Sequence, residues 1–109
     1  MDERFCRAIK TRALVGARYR GGPARVLEIY LHGRTREDVE TVLAYQREGS
    51  SHSGISSGWK TFVVSELSEV EVLDATSMHV RPDYDPEFTT FVHVHCGVKA
   101  SDKGADPVG

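Results

Sequence analysis

The amino-acid sequence predicts a mainly β domain with one N-terminal helix, folded as a small Sm-like or SH3-like β-barrel. Five short segments rich in β-branched and aromatic residues follow one another at roughly ten-residue spacing. Glycine and proline separate several of them. The chain has 109 residues, which is the size of one domain. An OB-type barrel is the second candidate.

The first element is a helix over residues 2–11. Asp2 is placed to cap its start, and Phe5 and Ile9 are four residues apart, so they share one helical face. Basic residues line the rest of the helix, namely Arg4, Arg7, Lys10 and Arg12. We therefore expect the helix to pack its apolar stripe on the sheet.

Five strands are predicted after the helix. They cover residues 13–20, 25–32, 39–47, 59–65 and 69–74. Gly21-Gly22 forms the first turn, and Pro23 cannot donate to a strand ladder, so it precedes the second strand. In the fifth strand Val70 and Val72 alternate with glutamates, which predicts one buried face.

Residues 91–98 alternate as well and form a last strand. We expect two faces, one with Val92, Val94 and Cys96, the other with Phe91, His93 and His95. Between these strands, residues 76–90 are irregular, and Asp83 and Asp85 are interpreted as turn formers. Residues 99–109 have no apolar anchor and are expected to be a disordered tail, so the domain is 1–98.

Composition excludes several classes of protein. No run of 18 apolar residues is present, and the N-terminus lacks the apolar core of a signal peptide. We therefore expect a cytoplasmic protein that has no contact with a membrane. Cys6 and Cys96 are then predicted to be two reduced thiols.

The charges are unevenly distributed along the chain. Residues 1–36 hold nine Lys/Arg and three Asp/Glu, a net +6, whereas residues 37–109 hold five and thirteen, a net −8. This division predicts a basic face and an acidic face. The alternative is that the two halves interleave in the fold and their charges cancel.

A basic and aromatic set is the first candidate binding site. Its members are Arg18, Arg20, Arg25, Tyr45, Trp59 and Lys60. Guanidinium groups bind phosphates bidentately, and aromatic rings stack on bases. We expect these side chains to lie on one side of the sheet. The alternative is that the arginines are solvated and balance Glu28 and Glu40.

The loop at residues 49–58 is the second candidate. It has three glycines and five serines, and Ser51 and Ser53 could donate hydrogen bonds to an anion. It has no Gly-Lys-Thr ending and precedes no helix, so it is not a P-loop. The strand-to-helix elbow of a serine hydrolase is missing too. No catalytic residues and no cofactor are therefore predicted, and the alternative is a flexible hairpin loop.

The histidines of the last strand are the third candidate. His93 and His95 are two residues apart on a strand and form a weak half of a metal site, which would need His32, His79 or an acidic residue from elsewhere. The alternative is that their face, together with Phe91, is a homodimer contact.

Several segments together resemble a WYL-type domain, over about Phe5 to Val98. The segments are Ala17-Arg18-Tyr19, Arg25-Val26-Leu27-Glu28, Leu43-Ala44-Tyr45-Gln46, Gly58-Trp59-Lys60-Thr61-Phe62 and Arg81-Pro82-Asp83-Tyr84. The chain is most similar to the small stand-alone variety without a helix-turn-helix, and Leu43-Ala44-Tyr45 replaces the family's Trp-Tyr-Leu triplet.

This resemblance implies an Sm-like barrel with an N-terminal helix and a role in a bacterial regulatory or defence system. The expected function is non-catalytic binding of a nucleotide-like ligand or single-stranded nucleic acid. The alternatives are a dimerisation module without a small ligand and, third, a metal-binding protein.

Overall fold

One antiparallel sheet and one helix make up the computed structural model, which describes residues 3–48, 58–73, 80–85 and 91–98. The elements are α1 (Glu3–Thr11), β1 (Leu14–Tyr19), β2 (Ala24–Thr35), β3 (Glu40–Glu48), β4 (Gly58–Val63), a 3₁₀ turn (Val64–Glu66), β5 (Leu67–Val72) and β6 (Phe91–Gly97). The mainly β class with an N-terminal helix is thus confirmed. The predicted tail and the serine-rich part of the loop lie outside the described residues.

Strand β2 is the centre of the sheet. It is 12 residues long and pairs with β3 along one edge. Its other edge is shared by β1, which pairs with residues 24–28, and β6, which pairs with residues 31–35. The predicted strand ended at His32, and residues 33–38 were expected to form a polar connection. Gly33 instead allows a close approach, since a Cβ there would collide with the carbonyl oxygen of His93.

The strand order is β4-β3-β2-β1-β5, with β6 beside β2. Within the described ranges no ladder joins β4 to β5, so the closed barrel expected from the sequence is not formed by hydrogen bonds. The reason is that β4 pairs with β3 and β5 pairs with β1, while the three-residue 3₁₀ turn connects these two outer strands.

Helix α1 packs against β2, β5 and β6. Phe5, Ala8 and Ile9 on its inner face are buried, as the sequence pattern predicted. Full burial of a side chain such as Phe5 stabilises the fold by about 1.5–3 kcal/mol. This packing gives the helix a fixed position over the β2–β6 part of the sheet.

The predicted alternation of β6 is wrong over residues 91–94. Phe91 is buried, whereas Val92, His93 and Val94 are all exposed, the two valines by 61% and 47%. The register with β2 shifts twice, once between His32 and Gly33 and once between Arg34 and Thr35. Each shift inserts an unpaired residue, and such bulges break the period of two. Phe91 therefore cannot belong to an exposed dimer contact together with His93 and His95.

Cys6 and Cys96 form a disulfide, so the prediction of two reduced thiols is wrong for this structure. Their Cα atoms are 5.7 Å apart because α1 lies on β6. A separation of 90 residues along the chain gave no indication of this proximity. Closing a loop of that length stabilises the fold by up to about 4–5 kcal/mol in the chain-entropy description.

The single helix in the described part of the chain, α1, is too short and too polar to cross a bilayer.

Candidate functional site

Arg18 and Arg20, the first two predicted phosphate ligands, each face a carboxylate. Arg18 forms an ion pair with Glu69, and Arg20 Nε lies 2.9 Å from Glu66 Oε2. Hydrogen bonding to Arg20 holds the pKa of Glu66 below its usual value. The sequence proposed Glu28 and Glu40 as balancing partners, but the antiparallel β1–β5 pairing brings Glu66 and Glu69 instead.

These ion pairs support the interleaved alternative for the two charged halves of the chain. Both arginines come from the basic half and both glutamates from the acidic half. The pairs are exposed, so water screens them and each contributes little to stability. An incoming phosphate could therefore displace the carboxylates.

Arg25 is buried, with 4% of its surface exposed. Its NH1 donates to Gln46 Oε1 at 2.9 Å, and its guanidinium lies over the rings of Tyr19 and Phe62. A group in this position supports the core and is not accessible to a large anion. The sequence offered no signal for this burial, because a basic residue beside a Gly-Gly turn is usually solvated.

Tyr45 and Trp59 face each other across β3 and β4, with ring centroids 5.4 Å apart. Gln46 and Lys60 follow them directly in the two strands, so they point to the opposite face. The Arg25 guanidinium contacts Gln46 on that opposite face. The predicted set is therefore divided: Tyr45 and Trp59 lie on one face of the sheet, Arg25 and Lys60 on the other.

A pocket lies beside Trp59. Its volume is about 200 Å³, and its lining includes Leu43, Trp59, Asp83 and Asp85. The indole Nε1 of Trp59 donates to Asp83 Oδ2 at 2.8 Å. The pocket thus combines an aromatic wall with two carboxylates, and it offers acceptors rather than positive charges. The rings of Tyr30, Tyr45 and Tyr84 pack around the indole.

The segment 80–85 is held on the sheet by Arg81. Its guanidinium donates to both carboxylate oxygens of Glu28, at 3.1 and 2.9 Å, and lies 3.4 Å from the ring centroid of Tyr45. The Arg81 backbone N–H donates to the hydroxyl of Tyr30, which in turn donates to Glu28. This network fixes the segment that supplies the pocket carboxylates.

Two of the tyrosines near the pocket, Tyr30 and Tyr84, are not poised for acid–base chemistry. Burial raises the pKa of Tyr30, and burial together with the Asp85 charge raises the pKa of Tyr84 to about 12. Both phenols therefore keep their protons at neutral pH. The Tyr84 hydroxyl uses its proton to donate to the carbonyl oxygen of Val98 at 2.7 Å.

Sequence reasoning missed Arg81, Asp83 and Asp85 as site residues. The two aspartates were interpreted as turn formers, and residues 82–83 do form a turn. Their available signal was the aromatic residue between them, because the buried Tyr84 packs on Trp59 and so anchors the segment beside the pocket. Ser51 and Ser53 lie outside the described residues.

A second cluster lies between α1, β2 and β6. His32 is fully buried, and its Nδ1 is 3.6 Å from Cys6 Sγ and 3.8 Å from Cys96 Sγ. On the other side of the ring, Nε2 is 2.5 Å from Glu40 Oε2. The sulfur and nitrogen atoms of Cys6, His32 and Cys96 all lie within 4.8 Å of one another, which is the spacing of a metal site, while the two sulfurs are bonded to each other in this structure.

The weak metal candidates from the sequence lie next to this cluster. His93 is exposed, whereas His95 Nε2 is buried without a hydrogen-bond partner among the described residues. The His95 ring centroid is 5.5 Å from that of His32. The sequence placed Cys96 on the opposite face from these histidines. The bulge at His95 interrupts the alternation of the two faces, so the adjacent residues His95 and Cys96 can both approach His32 on β2.

No family model, curated protein or solved structure matches this chain.

Proposed function

We propose that this protein is a non-catalytic ligand-binding module, similar to WYL-type domains, that binds the base of a nucleotide-like ligand or of single-stranded nucleic acid in the Trp59 pocket. The observation that carries this proposal is the combination of an indole wall with the Asp83 and Asp85 carboxylates in one pocket.

The volume of the pocket limits the size of the bound group. About 200 Å³ is below the about 300–1,000 Å³ typical of pockets for drug-sized ligands. A single planar ring system is therefore the better match, with the rest of the ligand outside. A ring stacked on Trp59 would contribute about 1–3 kcal/mol, whichever base it belongs to.

The polar groups of the pocket limit the chemistry of the bound group. Carboxylates accept hydrogen bonds from the exocyclic amino group of a base such as cytosine, and they repel phosphates. We therefore assign the pocket to the base and the phosphates to its surroundings. There Arg47 and Arg81 share the single carboxylate of Glu28, which leaves one net positive charge beside Tyr45.

The originally predicted residues keep a secondary part in this proposal. Arg18 and Arg20 would contact further phosphates of a longer strand by displacing Glu69 and Glu66. Ser51 and Ser53 would donate to the same ligand from the loop between β3 and β4. Arg25 and Lys60 are less suited, since they lie on the face opposite Trp59.

An Sm-like or SH3-like barrel is the fold that we propose for the whole domain. Five consecutive strands follow a helix, and the pairing of β1 with β5 returns the last strand of this meander to the first. Such a return is needed to curl a small sheet into a barrel. The resemblance to WYL-type domains further implies a regulatory role in the bacterial cytoplasm.

Fluorescence of Trp59, the only tryptophan in the chain, provides the test. Nucleosides, nucleoside monophosphates and short single-stranded oligonucleotides would be titrated at low salt. We expect quenching by ligands that carry a base, and weaker binding in Asp83→Asn and Asp85→Asn than in the control Glu71→Gln, which removes an exposed charge on β5. Each phosphate contact should add about −0.7 to the log–log salt slope.

Two results would contradict this proposal. One is the absence of quenching by every base at low salt. The other is an equal loss of binding in Glu71→Gln and in the two pocket variants, because the carboxylates would then act only through the total charge.

Protein interaction through β6 is the second candidate function. Within the described ranges β6 pairs with β2 alone, and its outer side exposes Val92 and Val94. Exposed apolar residues on a strand with an open edge favour pairing with another strand. A dimer in native mass measurements that Val92→Glu dissociates would support this function, and a monomer at all concentrations would contradict it.

A further inference from the structure

We infer that Cys6, His32 and Cys96 form a zinc-binding site when the disulfide is reduced, so that this part of the fold exchanges a disulfide for a metal ion. The three residues come from α1, β2 and β6, and their donor atoms already converge. Nothing in the binding proposal for the Trp59 pocket uses them.

The distances fit the coordination of zinc. Zn–S bonds of about 2.3 Å and Zn–N bonds of about 2.0–2.1 Å at a tetrahedral angle place a sulfur and a nitrogen ligand about 3.5 Å apart. His32 Nδ1 is 3.6 Å from one sulfur and 3.8 Å from the other. The nitrogen therefore needs almost no movement, and the two sulfurs separate by side-chain rotation once their bond is broken.

Glu40 supports the same assignment. Histidines that bind metals usually donate their second ring N–H to a carboxylate, which fixes the tautomer and the ring orientation. His32 Nε2 is 2.5 Å from Glu40 Oε2, so the proton is held on Nε2 and the lone pair of Nδ1 points at the sulfurs. Glu40 is a positioning residue in this arrangement.

His95 adds an independent observation. Its Nε2 is buried without a hydrogen-bond partner in the described part of the chain, and its ring is 5.5 Å from that of His32. Three protein ligands leave one position of a tetrahedral zinc ion open. A buried imidazole nitrogen without a partner among the described residues, on a ring that contacts His32, makes these surroundings more suitable for a metal ion than a purely apolar core would be.

The exchange begins with reduction of the Cys6–Cys96 disulfide, and zinc binding follows. A dithiol reductant attacks one sulfur of the disulfide, forms a mixed disulfide and then closes to its own disulfide, which releases two cysteine thiols. Each thiol loses a proton when zinc binds, so one Zn²⁺ displaces two protons. In the reverse direction, hydrogen peroxide takes two electrons from the thiolates and becomes two waters with two protons from solvent. The Cys6–Cys96 bond forms again and the zinc leaves.

The test uses the full chain in its oxidised form and in a form reduced with dithiothreitol and kept without oxygen. Zn²⁺ would be titrated in competition with a coloured chelator, and Co²⁺ would report thiolate ligands by its charge-transfer absorption. We expect one ion per reduced chain and no stoichiometric binding by the oxidised chain. Cys96→Ser should halve the thiolate-to-cobalt absorption per bound ion and weaken zinc binding at least about tenfold.

His32→Gln and Glu40→Gln complete the experiment, with His93→Gln as the matched control on the exposed side of β6. His32→Gln should abolish binding, and Glu40→Gln should weaken it by about 10–100-fold with the cobalt spectrum retained. Far-ultraviolet circular dichroism checks that each variant is folded. If His32→Gln does not fold, Cys96→Ser tests the site in its place. Equal zinc affinity of reduced and oxidised protein, or an equal loss in His93→Gln, would overturn the inference.

Discussion

Glu28→Gln is the most informative single change in the network that supports the pocket. Glu28 is 3% exposed, and its carboxylate accepts two hydrogen bonds from Arg81 and one from the Tyr30 hydroxyl. Glutamine keeps the size of the side chain but removes its charge and one acceptor. Arg81 then loses the partner that fixes the segment 80–85 on the sheet.

The expected cost follows from the burial of the two partners. Removing one member of a fully buried ion pair costs about 3–5 kcal/mol. The Arg81 side chain is 34% exposed, so water replaces part of the lost interaction, and we expect about 2 kcal/mol. With about 4–8 °C per kcal/mol for a domain near this size, Tm should fall by roughly 8–16 °C.

Urea and thermal unfolding followed by far-ultraviolet circular dichroism would measure this loss, with Glu37→Gln as the control. Glu37 is an exposed carboxylate in the β2–β3 connection, and its replacement should change stability by less than about 0.5 kcal/mol. A double-mutant cycle with Arg81→Met isolates the coupling, which we expect to exceed about 1 kcal/mol. A Glu28→Gln variant as stable as Glu37→Gln, or a coupling near zero, would refute the reasoning.

Three other predictions concern the core, the surface and the disulfide. Arg25→Met should cost about 1–3 kcal/mol in urea unfolding, because Gln46 loses a buried donor, and base binding measured by Trp59 fluorescence should not change. Glu66→Gln should change the stability of the fold only slightly, and only above about pH 4.5. The folded-state pKa of Glu66 lies below the ordinary value of 4.5. The contribution of this carboxylate to stability is therefore present above that pH and is lost as pH falls through the folded-state pKa. A pH–stability profile that is identical at low and high salt would contradict an ion pair with Arg20. Cys96→Ser should lower the stability of the oxidised protein by about 2–5 kcal/mol and leave that of the reduced, zinc-free protein nearly unchanged.

Local patterns in the sequence were sufficient for most elements of the fold. The i, i+4 spacing of Phe5 and Ile9 identified α1 and its buried face. The strands β1 to β5 were located within a few residues, because their apolar periodicity and their turn residues agree. These signals act over neighbouring residues, so they require no knowledge of which strand lies beside which.

The misplaced features depend on contacts between distant segments. The extension of β2 past Gly33 requires the approach of β6, and the two bulges of β6 exist only in its register with β2. The burial of Arg25 depends on Gln46 and Phe62 from two other strands. Composition and periodicity carry no information on such pairings.

The candidate site shows the same limit. Trp59 and Tyr45 could be selected as aromatic residues on facing strands, and they do meet. The carboxylates of the pocket come from a segment without regular structure, whose position is set by the bonds of Arg81 to Glu28. The sequence therefore predicted the aromatic wall of the pocket. It predicted basic residues beside that wall, whereas the structure has carboxylates there.

The Trp59 indole N–H gives the most direct measurement of the central claim, that a base binds between this ring and the carboxylates of Asp83 and Asp85. It has a single, well-separated signal in a ¹H–¹⁵N correlation spectrum, since the chain has one tryptophan, and it reports on the bond to Asp83. On titration with a single-stranded oligonucleotide, we expect this signal and the amides of residues 81–85 to shift together with one dissociation constant. Shifts confined to the face of Arg25 and Lys60, or no shift of the indole signal at saturation, would contradict it.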